Sequence, residues 1–197
     1  MPRLDIDTRR TQLIDAAIRI ALRDGLDNTT VRRIATEAGV SLGTVHYCFD
    51  NKRALLEAVV ETLLQREVDV AEFDLPDGAT PVDAIKQAFR YYWTLSGAQT
   101  ERQRLVYELV AYLVRQEAPG PELAQRIFAN KYEVVRGFLE LFQKKGEAEL
   151  GLPVDVIARM TVAMTDGVAL AWLADGDDEK ALEVLDSFAE ILARTQT

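Results

Sequence analysis

The sequence predicts an all-α protein of about nine helices, in which an N-terminal three-helix domain precedes a larger helical domain. Apolar residues recur at spacings of three and four along almost the whole chain, as on one face of a helix. No segment shows the two-residue alternation of a half-buried strand. Glycine, proline and N-cap residues divide the helical pattern into separate segments.

The composition indicates a soluble protein of a reducing compartment. Hydrophobic residues make up 48% of the 197 residues, enough to bury a sizeable core. Cys48 is the only cysteine, so the chain can form no internal disulfide and no cysteine-based metal site. The start of the chain lacks the apolar segment of a secretory signal, and no uninterrupted apolar run approaches the roughly 20 residues of a membrane span. We expect a cytoplasmic protein without cofactor, metal or membrane partner.

The charge is distributed unevenly along the chain. The net charge of -9 argues by itself against a nucleic-acid partner. Residues 1–53, however, hold nine Lys/Arg and seven Asp/Glu, whereas residues 54–197 hold 14 Lys/Arg and 25 Asp/Glu. DNA phosphates would repel the acidic residues 54–197. This repulsion would orient the mildly basic residues 1–53 toward DNA. This asymmetry supports DNA binding only in combination with a motif.

Four helices are predicted in the first 64 residues. Each starts at a Ser, Thr, Asp or Asn that can cap the first turn, and glycines follow the first two helices. The predicted helices cover residues 8–24, 30–38, 41–47 and, from a start at 50 or 51, the segment to 64. The third of these helices is very short.

Five further helices are predicted behind a loop at residues 74–78. Thr80-Pro81 opens the first of them with proline at the tolerated first position, and Thr100 with Gln103 forms a capping box for the next. The last four predicted helices cover residues 100–116, 122–145, 154–174 and 178–194. Gly146 closes the longest of them.

The second and third helices have the spacing of a helix-turn-helix. Ala35 is small, so the next helix can cross closely above it. Gly39 supplies the left-handed turn. Val45 fills the angle between the two helices. In this motif the second helix enters the major groove of DNA. The same spacing also fits an ordinary helix corner.

The flanking residues strongly favour the helix-turn-helix over the ordinary helix corner. The segments that carry the resemblance are Thr29-Thr30-Val31-Arg32-Arg33-Ile34-Ala35, Ala38-Gly39-Val40-Ser41-Leu42-Gly43-Thr44-Val45, Phe49-Asp50-Asn51-Lys52 and Leu55. Residues 9–56 resemble the N-terminal domain of the TetR family of transcriptional regulators. The resemblance implies a helix-turn-helix DNA-binding domain at residues 1–50 and a helical effector-binding and dimerisation domain at 51–197. Beyond residue 56 it rests only on the number and length of the helices and on total size.

The resemblance implies a set of DNA-binding residues in and beside the motif. They are Thr30, Arg32, Arg33, Ser41, Leu42, Gly43, Thr44, His46, Tyr47 and Lys52. Thr30 and Lys52 match phosphate-binding positions, and Thr30 can also serve simply as an N-cap. Arg32 and Arg33 lie on the outer face of the second helix, where each is either a DNA contact or a solvated surface charge. Gly43 has no side chain, so the helix backbone can approach DNA closely.

Three positions depart from the family pattern. Where the family often has lysine, Leu42 could touch a thymine methyl group instead. His46 and Cys48 stand where the family usually has tyrosines. His46 can still donate to a phosphate or a base edge, or it is an exposed histidine without a role. We expect Cys48 to pack against the domain core rather than act as a redox switch, and Tyr47 to contact a phosphate. These departures put the operator sequence in doubt but not the mode of binding.

The last two predicted helices carry apolar stripes suited to a homodimer interface. The first stripe comprises Val156, Met160, Ala163, Gly167, Leu170 and Ala171; the second comprises Leu182, Leu185, Phe188, Ala189 and Leu192. The resemblance implies a four-helix bundle between two subunits at this place. The alternative is that both stripes only close the core of a single chain.

The middle helices are rich in aromatic residues, in a region where the family encloses an effector. The candidate ligand-binding residues are Tyr92, Trp93, Tyr107, Phe128 and Asp166. Small-molecule sites are mostly apolar with a few placed polar groups. For each aromatic residue core packing is the alternative. Asp166 could bind a cationic group of a ligand or form a hydrogen bond in the dimer seam.

These observations predict a ligand-responsive transcriptional repressor that binds a double-stranded, palindromic DNA operator as a dimer. The effector is a small molecule of unknown identity. An enzyme is a poor alternative, since the one histidine lies in the DNA-binding motif and no glycine-rich phosphate loop is present. A helical ligand-binding or interaction protein that no longer binds DNA specifically is the second alternative, supported by His46 and Cys48.

Overall fold

The structure is a computed structural model that describes residues 5–64, 70, 73–74, 78–97, 100–144 and 151–194. This part of the chain contains nine α-helices, one 3₁₀ turn and no strand, which confirms the predicted all-α class. The helices are α1 Ile6–Asp24, α2 Val31–Glu37, α3 Leu42–Cys48, α4 Lys52–Leu64, α5 Pro81–Gly97, α6 Thr100–Leu113, α7 Gly120–Lys144, α8 Val154–Asp175 and α9 Asp178–Arg194. The 3₁₀ turn Leu26–Asn28 was not predicted.

Local hydrogen bonds explain where two helices differ from the predicted boundaries. The α1 helix begins two residues before Thr8, because the Asp5 carboxylate accepts the amide of Ile6 and serves as the cap. The α6 helix ends at Leu113 rather than near Gln116, because the amides of Arg115 and Gln116 bond to carbonyls three residues back. The predicted end of α7 at residues 145–146 and residues 75–77 of the predicted loop lie outside the described residues.

The chain forms two compact units that differ from a simple division along the sequence. The first unit contains Met1–Glu67 and Arg104–Ile127, so α1 to α4 share it with α6 and the start of α7. The second unit contains Val68–Gln103 and Phe128–Thr197, with α5, the rest of α7, α8 and α9. The functional boundary after residue 50 stays a prediction, because compactness alone does not assign a function.

One apolar cluster holds the first unit together. Residues of α1, α2, α3, α4, α6 and α7 contribute to it, and several of them are fully buried. The largest fully buried members are Leu13, Ile20, Ile34, Val45, Val60, Leu105, Leu109 and Leu113. Burial of a Leu, Ile or Val side chain contributes roughly 1.5–3 kcal/mol each. The helices of the predicted DNA-binding motif therefore share their core with α6.

In the second unit α9 packs along α5. Phe89 stacks on Phe188 with ring centroids 5.9 Å apart, and Lys86 pairs with Glu190 at 2.8 Å. The α9 residues Leu185 and Ala189 are 1% and 0% exposed. The predicted second apolar stripe therefore lies mainly in the core of this chain, as its alternative interpretation held: Leu185, Ala189 and Leu192 are buried, and Leu182 and Phe188 are half-buried. Its spacing could not reveal this, because a stripe is equally suited to an internal and an external partner.

The α8 helix is long and apolar enough to cross a membrane by length and composition alone. The core helix of a soluble protein passes the same test. Its sequence contains Asp155, Arg159 and Asp166, and one of its faces is buried in the second unit. These charged residues interrupt the apolar run, as the sequence indicated.

Candidate nucleic-acid interface and effector residues

The helix-turn-helix forms as the spacing predicted. Ala35 and Val45 are 5% and 2% exposed, and the amide of Val40 donates to the Ala35 carbonyl at 2.9 Å. Gly39 has φ +64°, a conformation that side chains of L-residues rarely adopt. No atom of the part of the chain that the structure describes lies within 4 Å of a Cβ built there, so the turn requires glycine for its backbone angle and not for space. The turn thus fixes α3 against α2.

The short helix α3 divides its residues between core and solvent. Val45 and Cys48 are buried, which confirms the expected packing of the cysteine. Leu42 is 38% exposed and Tyr47 72% exposed. Gly43 and His46 are exposed as well. An outward face with one apolar side chain, one bare backbone position and two hydrogen-bonding rings is suited to base edges and phosphates.

Two hydroxyl residues of the predicted DNA-binding set act as helix caps. Thr30 accepts the amide of Arg33 at 3.3 Å, and Ser41 accepts the amide of Thr44 at 3.1 Å. The hydroxyls of Ser41 and Thr44 also bond to each other at 2.9 Å, and Thr44 is half-buried rather than fully outward. Capping and DNA contact are compatible, since a hydroxyl can accept one bond and donate another.

The two neighbouring arginines of α2 have different surroundings. Arg33 pairs with the Asp24 carboxylate and also donates to the Asn28 carbonyl at 3.4 Å. Arg32 is exposed, and among the described residues its guanidinium forms no ion pair. The sequence pattern allows the same two interpretations for both arginines. The structure leaves Arg32 as the side chain with more of its charge directed to solvent.

The carboxylates of Asp24 and Glu37 bind arginine side chains of α1 and α2. The Arg23 guanidinium donates to Asp24 and holds the pKa of that carboxyl below its usual range. The Arg19 guanidinium donates to Glu37 at 3.2 Å and lowers the pKa of Glu37 in the same way, with Arg23 adding a second bond. Because these pKa values are lowered by folding, the pairs stabilise the fold at neutral pH and lose that effect as the pH falls through the acid range.

Arg10 of α1 holds the end of α3, a role that the sequence did not predict. Its Nη1 donates to the carbonyl of Cys48, and its guanidinium carbon lies 4.3 Å from the ring centroid of Phe49. The last carbonyls of a helix have no partner within it, and a cation near them is favourable. A separation of 38 residues gives no periodic signal by which sequence reasoning could have found this contact.

Lys52 lies at the first position of α4. The Asn51 side chain accepts the amide of Ala54 at 2.9 Å and thereby caps this helix, as predicted. The Lys52 side chain is exposed, and its Nζ lies 3.4 Å from the hydroxyl of Tyr112. Its position is suited to the phosphate contact that the resemblance implies.

The structure places some of the predicted effector residues around a buried ion pair in the second unit. Asp166 Oδ1 accepts from Lys131 Nζ at 2.6 Å, and the two side chains are only 12% and 15% exposed. The same Nζ lies 5.8 Å from the ring centroid of Phe128, whose ring is 6.2 Å from that of Tyr132. Sequence reasoning missed Lys131, since a lysine in a long helix usually faces solvent.

The remaining effector candidates lie elsewhere. Trp93 is 7% exposed, donates to Asp178 at 3.3 Å and packs edge-on against Trp172 with ring centroids 5.3 Å apart. Trp172 follows Asp166 by six residues on α8, about 9 Å along the helix axis. Tyr92 is half-buried on α5, and Tyr107 is half-buried on α6 in the first unit. Among the described residues no group of three His, Cys, Asp or Glu could hold a metal ion.

The first predicted apolar stripe lies on the surface of the second unit. Val156, Met160 and Leu170 of α8 are 42%, 40% and 51% exposed, and Ala163 and Ala171 of the same stripe are exposed as well. On α9 the exposed apolar residues are Val184 and Ile191. A Cβ built on Gly167 meets no atom of the described residues within 4 Å, so none of them makes use of the missing side chain. Exposed apolar stripes of this kind mark sites of association.

Comparison with known proteins connects this geometry to one family. Residues 13–59 match the model of the family described as "Bacterial regulatory proteins, tetR family". The HTH-type nicotine-responsive transcriptional repressor HdnoR of Paenarthrobacter nicotinovorans is 29% identical over 189 residues, which span 95% of each chain. The Fatty acid metabolism regulator protein of Bacillus subtilis is 24% identical over 92% of each chain.

The fold agrees with that of solved regulators. The crystal structure of a transcriptional regulator from Rhodococcus sp. Rha1 superposes with a TM-score of 0.74 at 21% identity. The alignment covers 95% of this chain and 97% of the other. At this level of identity the likeness establishes the fold and not the ligand.

We expect Arg10→Met to destabilise the first unit by roughly 1.5–3 kcal/mol, because it removes a charged donor from a helix-end carbonyl and the contact with Phe49. Urea unfolding followed by circular dichroism measures the change. Arg9→Met is the matched control, since among the described residues the Arg9 guanidinium hydrogen-bonds only to Gln12 on the same helix, and it should stay within about 0.5 kcal/mol of the wild type. Equal losses for the two variants would refute the role of Arg10.

Proposed function

Because the chain belongs to the TetR family of bacterial regulatory proteins, we propose that it is a ligand-responsive repressor that binds a palindromic operator as a homodimer. The family consists of DNA-binding helix-turn-helix transcriptional regulators and not of enzymes. The observation that carries the proposal is the recognition helix α3, which is buried along one face and exposes residues suited to DNA along the other.

In the proposed complex α3 lies in the major groove. Leu42, His46 and Tyr47 contact base edges or nearby phosphates, and Gly43 allows close approach of the backbone. Arg32 and Lys52 bind phosphates beside the groove, while Thr30, Ser41 and Thr44 add hydroxyl contacts at the two capped helix starts. Arg33 contributes less, because Asp24 already neutralises part of its charge. The protein acts in the bacterial cytoplasm, where the chromosome lies.

One seven-residue recognition helix contacts too few bases for strong discrimination. A dimer reads two half-sites, about 34–36 Å apart or a multiple of this distance. We place the dimer interface on α8 and α9, and its support is the exposed apolar stripe described above. The buried residues of α9 take no part, so α9 contributes Val184 and Ile191 instead.

The effector binds in the helical domain behind the DNA-binding motif. HdnoR is named for its response to nicotine and the B. subtilis relative for fatty acid metabolism, so the relatives do not agree on a chemical class. Phe128, Lys131 and Asp166 form the best-supported part of the site. A cationic ligand group would replace Lys131 beside Asp166, because a buried carboxylate requires a partner. The other candidates remain Tyr92, Trp93 and Tyr107.

Effector and operator binding are coupled through two conformations of the dimer. Without ligand both recognition helices stand at the operator spacing and transcription is blocked. The ligand favours a conformation in which α4 moves the DNA-binding domains out of register. Such coupling requires that the ligand bind the two conformations with different affinities, and it is reciprocal.

The operator is sought first in the DNA upstream of the protein's own gene and then by genome-wide selection of bound fragments. We expect tight binding to the selected fragment, with an affinity that falls steeply as salt rises. Arg32→Met should lower the slope of log K against log [salt] by about 0.9 for each phosphate that the side chain neutralises, and Arg33→Met should change it less. Fluorescence anisotropy at several salt concentrations measures both variants.

A scrambled fragment of equal length is the control for this experiment. Equal affinity for every fragment, including those from the genomic selection, would contradict the proposal. The protein would then be a helical ligand-binding or interaction protein without specific DNA binding. A larger effect of Arg33→Met than of Arg32→Met would contradict the ranking of the two arginines.

We expect Leu170→Glu to break the dimer, because it places two carboxylates within a desolvated apolar interface. Sedimentation analysis should give the dimer mass for the wild type and the monomer mass for the variant, and operator affinity should fall more than about tenfold, as the loss of one half-site costs well over 1.4 kcal/mol. Val114→Glu is the matched control, since Val114 is 55% exposed but lies outside the stripe. A dimeric Leu170→Glu protein would place the interface elsewhere.

A ligand that raises the unfolding temperature must also lower operator affinity, and a thermal-shift screen of organic amines, acids and aromatic compounds supplies candidates. The double variant Lys131→Met/Asp166→Leu should retain the fold and operator binding, because apolar replacement of a whole buried pair is often neutral. It should lose the response to a ligand that binds at this pair. A ligand that binds tightly yet leaves operator affinity unchanged would refute the coupling.

A further inference from the structure

We propose that Tyr112 of α6 is a positioning residue that holds Lys52 for its contact with a DNA phosphate. The inference rests on the DNA-binding function proposed above. Lys52 Nζ lies 3.4 Å from the Tyr112 hydroxyl and 5.6 Å from the centroid of its ring. The two residues are 60 positions apart and belong to different helices of the first unit. Nothing in the helix-turn-helix pattern points to a residue of α6.

The backbone of Lys52 is held in place by contacts that do not involve its own side chain. Asn51 caps α4 through the amide of Ala54, and Leu55 of the first turn is 3% exposed in the core. The side chain itself is exposed. A lysine on a fixed backbone can still adopt many rotamers, and ordering them is a cost that falls on DNA binding. A neighbour that restricts the rotamers beforehand reduces this cost.

The charge of Lys52 is available for a phosphate. Among the described residues its ammonium forms no ion pair, whereas the adjacent Arg53 pairs with Glu57 at 3.1 Å. A tyrosine hydroxyl accepts one hydrogen bond from the ammonium without neutralising it. An ammonium has three N–H donors, so a bond to Tyr112 leaves donors that can reach a phosphate. Tyr112 therefore orients the cation and does not compete with DNA for it.

The tyrosine ring is firmly placed. Leu109 and Leu113 on the same helix are 0% and 1% exposed, and Tyr112 packs half-buried against the core cluster between them. At the other end of α6, Arg104 donates to the carbonyl of Leu22 on α1 at 3.0 Å. The α6 helix is thus attached to the DNA-binding helices at both of its ends. Its last turn presents the Tyr112 hydroxyl at a defined point above the start of α4.

This arrangement connects a phosphate contact with a candidate effector residue. Tyr107 lies five residues before Tyr112 on α6, about 7.5 Å along the axis. A displacement of α6 would withdraw the hydroxyl from Lys52 without any change in the recognition helix. Phosphate binding would then weaken uniformly across sequences, since such contacts do not depend on the base sequence.

The experiment measures binding of the full-length protein to a duplex of scrambled sequence, about three helical turns long, at low salt, so it does not depend on knowing the operator. The variants are Lys52→Met, Tyr112→Leu and their combination, each titrated by fluorescence anisotropy at several salt concentrations. We expect Lys52→Met to lower the salt slope by about 0.9 for each phosphate that the ammonium neutralises. Tyr112→Leu should weaken binding roughly threefold to tenfold in wild type and not at all in the Lys52→Met background.

Tyr112→Phe separates the effect of the hydroxyl from any effect on folding, because it keeps the ring in the core and removes only the hydroxyl. We expect an unchanged urea midpoint and a loss of about twofold in DNA affinity, which again disappears in the Lys52→Met background. Arg53→Met is the matched control, since it removes a neighbouring cation that pairs with Glu57 instead of Tyr112. Its effect on DNA affinity should add to that of Tyr112→Leu.

The outcomes separate the failure of this inference from that of the proposed function. Equal losses from Tyr112→Leu with and without Lys52 would show that Tyr112 acts only through the core, and unchanged affinity in both tyrosine variants would also overturn the inference. If Lys52→Met left affinity and salt slope unchanged, the phosphate role of Lys52 would fail and the inference with it. If the wild type bound no duplex at low salt, DNA binding itself would be refuted.

Discussion

The recognition helix depends on burial, because it is too short to be stable alone. Isolated helices below about 12–15 residues are marginal in water, and α3 has seven. The capping hydroxyl of Ser41 and the buried side chains of Val45 and Cys48 supply what the helix lacks. Arg10 secures its last carbonyl. The orientation that α3 would present to DNA is therefore set by the core of the first unit.

Electrostatics divide the cations of the first unit into two groups. Arg19, Arg23 and Arg33 bind the chain's own carboxylates Asp24 and Glu37, which hold α1 and α2 together. Arg32 and Lys52 form no ion pair among the described residues, so their charges are available to a partner. The net charge of residues 1–53 is only slightly basic. It does not show which cations are already paired with carboxylates and which are available to a partner.

The second unit uses apolar helix faces in two ways. The buried face of α9 packs along α5, whereas α8 turns Val156, Met160 and Leu170 outward. Both helices have the same kind of periodic pattern in sequence. A soluble chain that exposes such a stripe gains by covering it, and a second copy with the same stripe can do so symmetrically. The proposed dimer interface and the internal core therefore use similar but separate surfaces.

The sequence by itself determined the all-α class, most helix starts and the helix-turn-helix, because caps, glycine turns and apolar periodicity are local properties of the chain. It also selected outward-facing residues of α3 such as Tyr47. Only the tertiary structure decided which arginine is paired, which apolar stripe is exposed, and that Arg10 meets Cys48, Lys52 meets Tyr112 and Lys131 meets Asp166. These contacts join residues of different helices, and their geometry follows from how the helices pack rather than from any spacing along the chain.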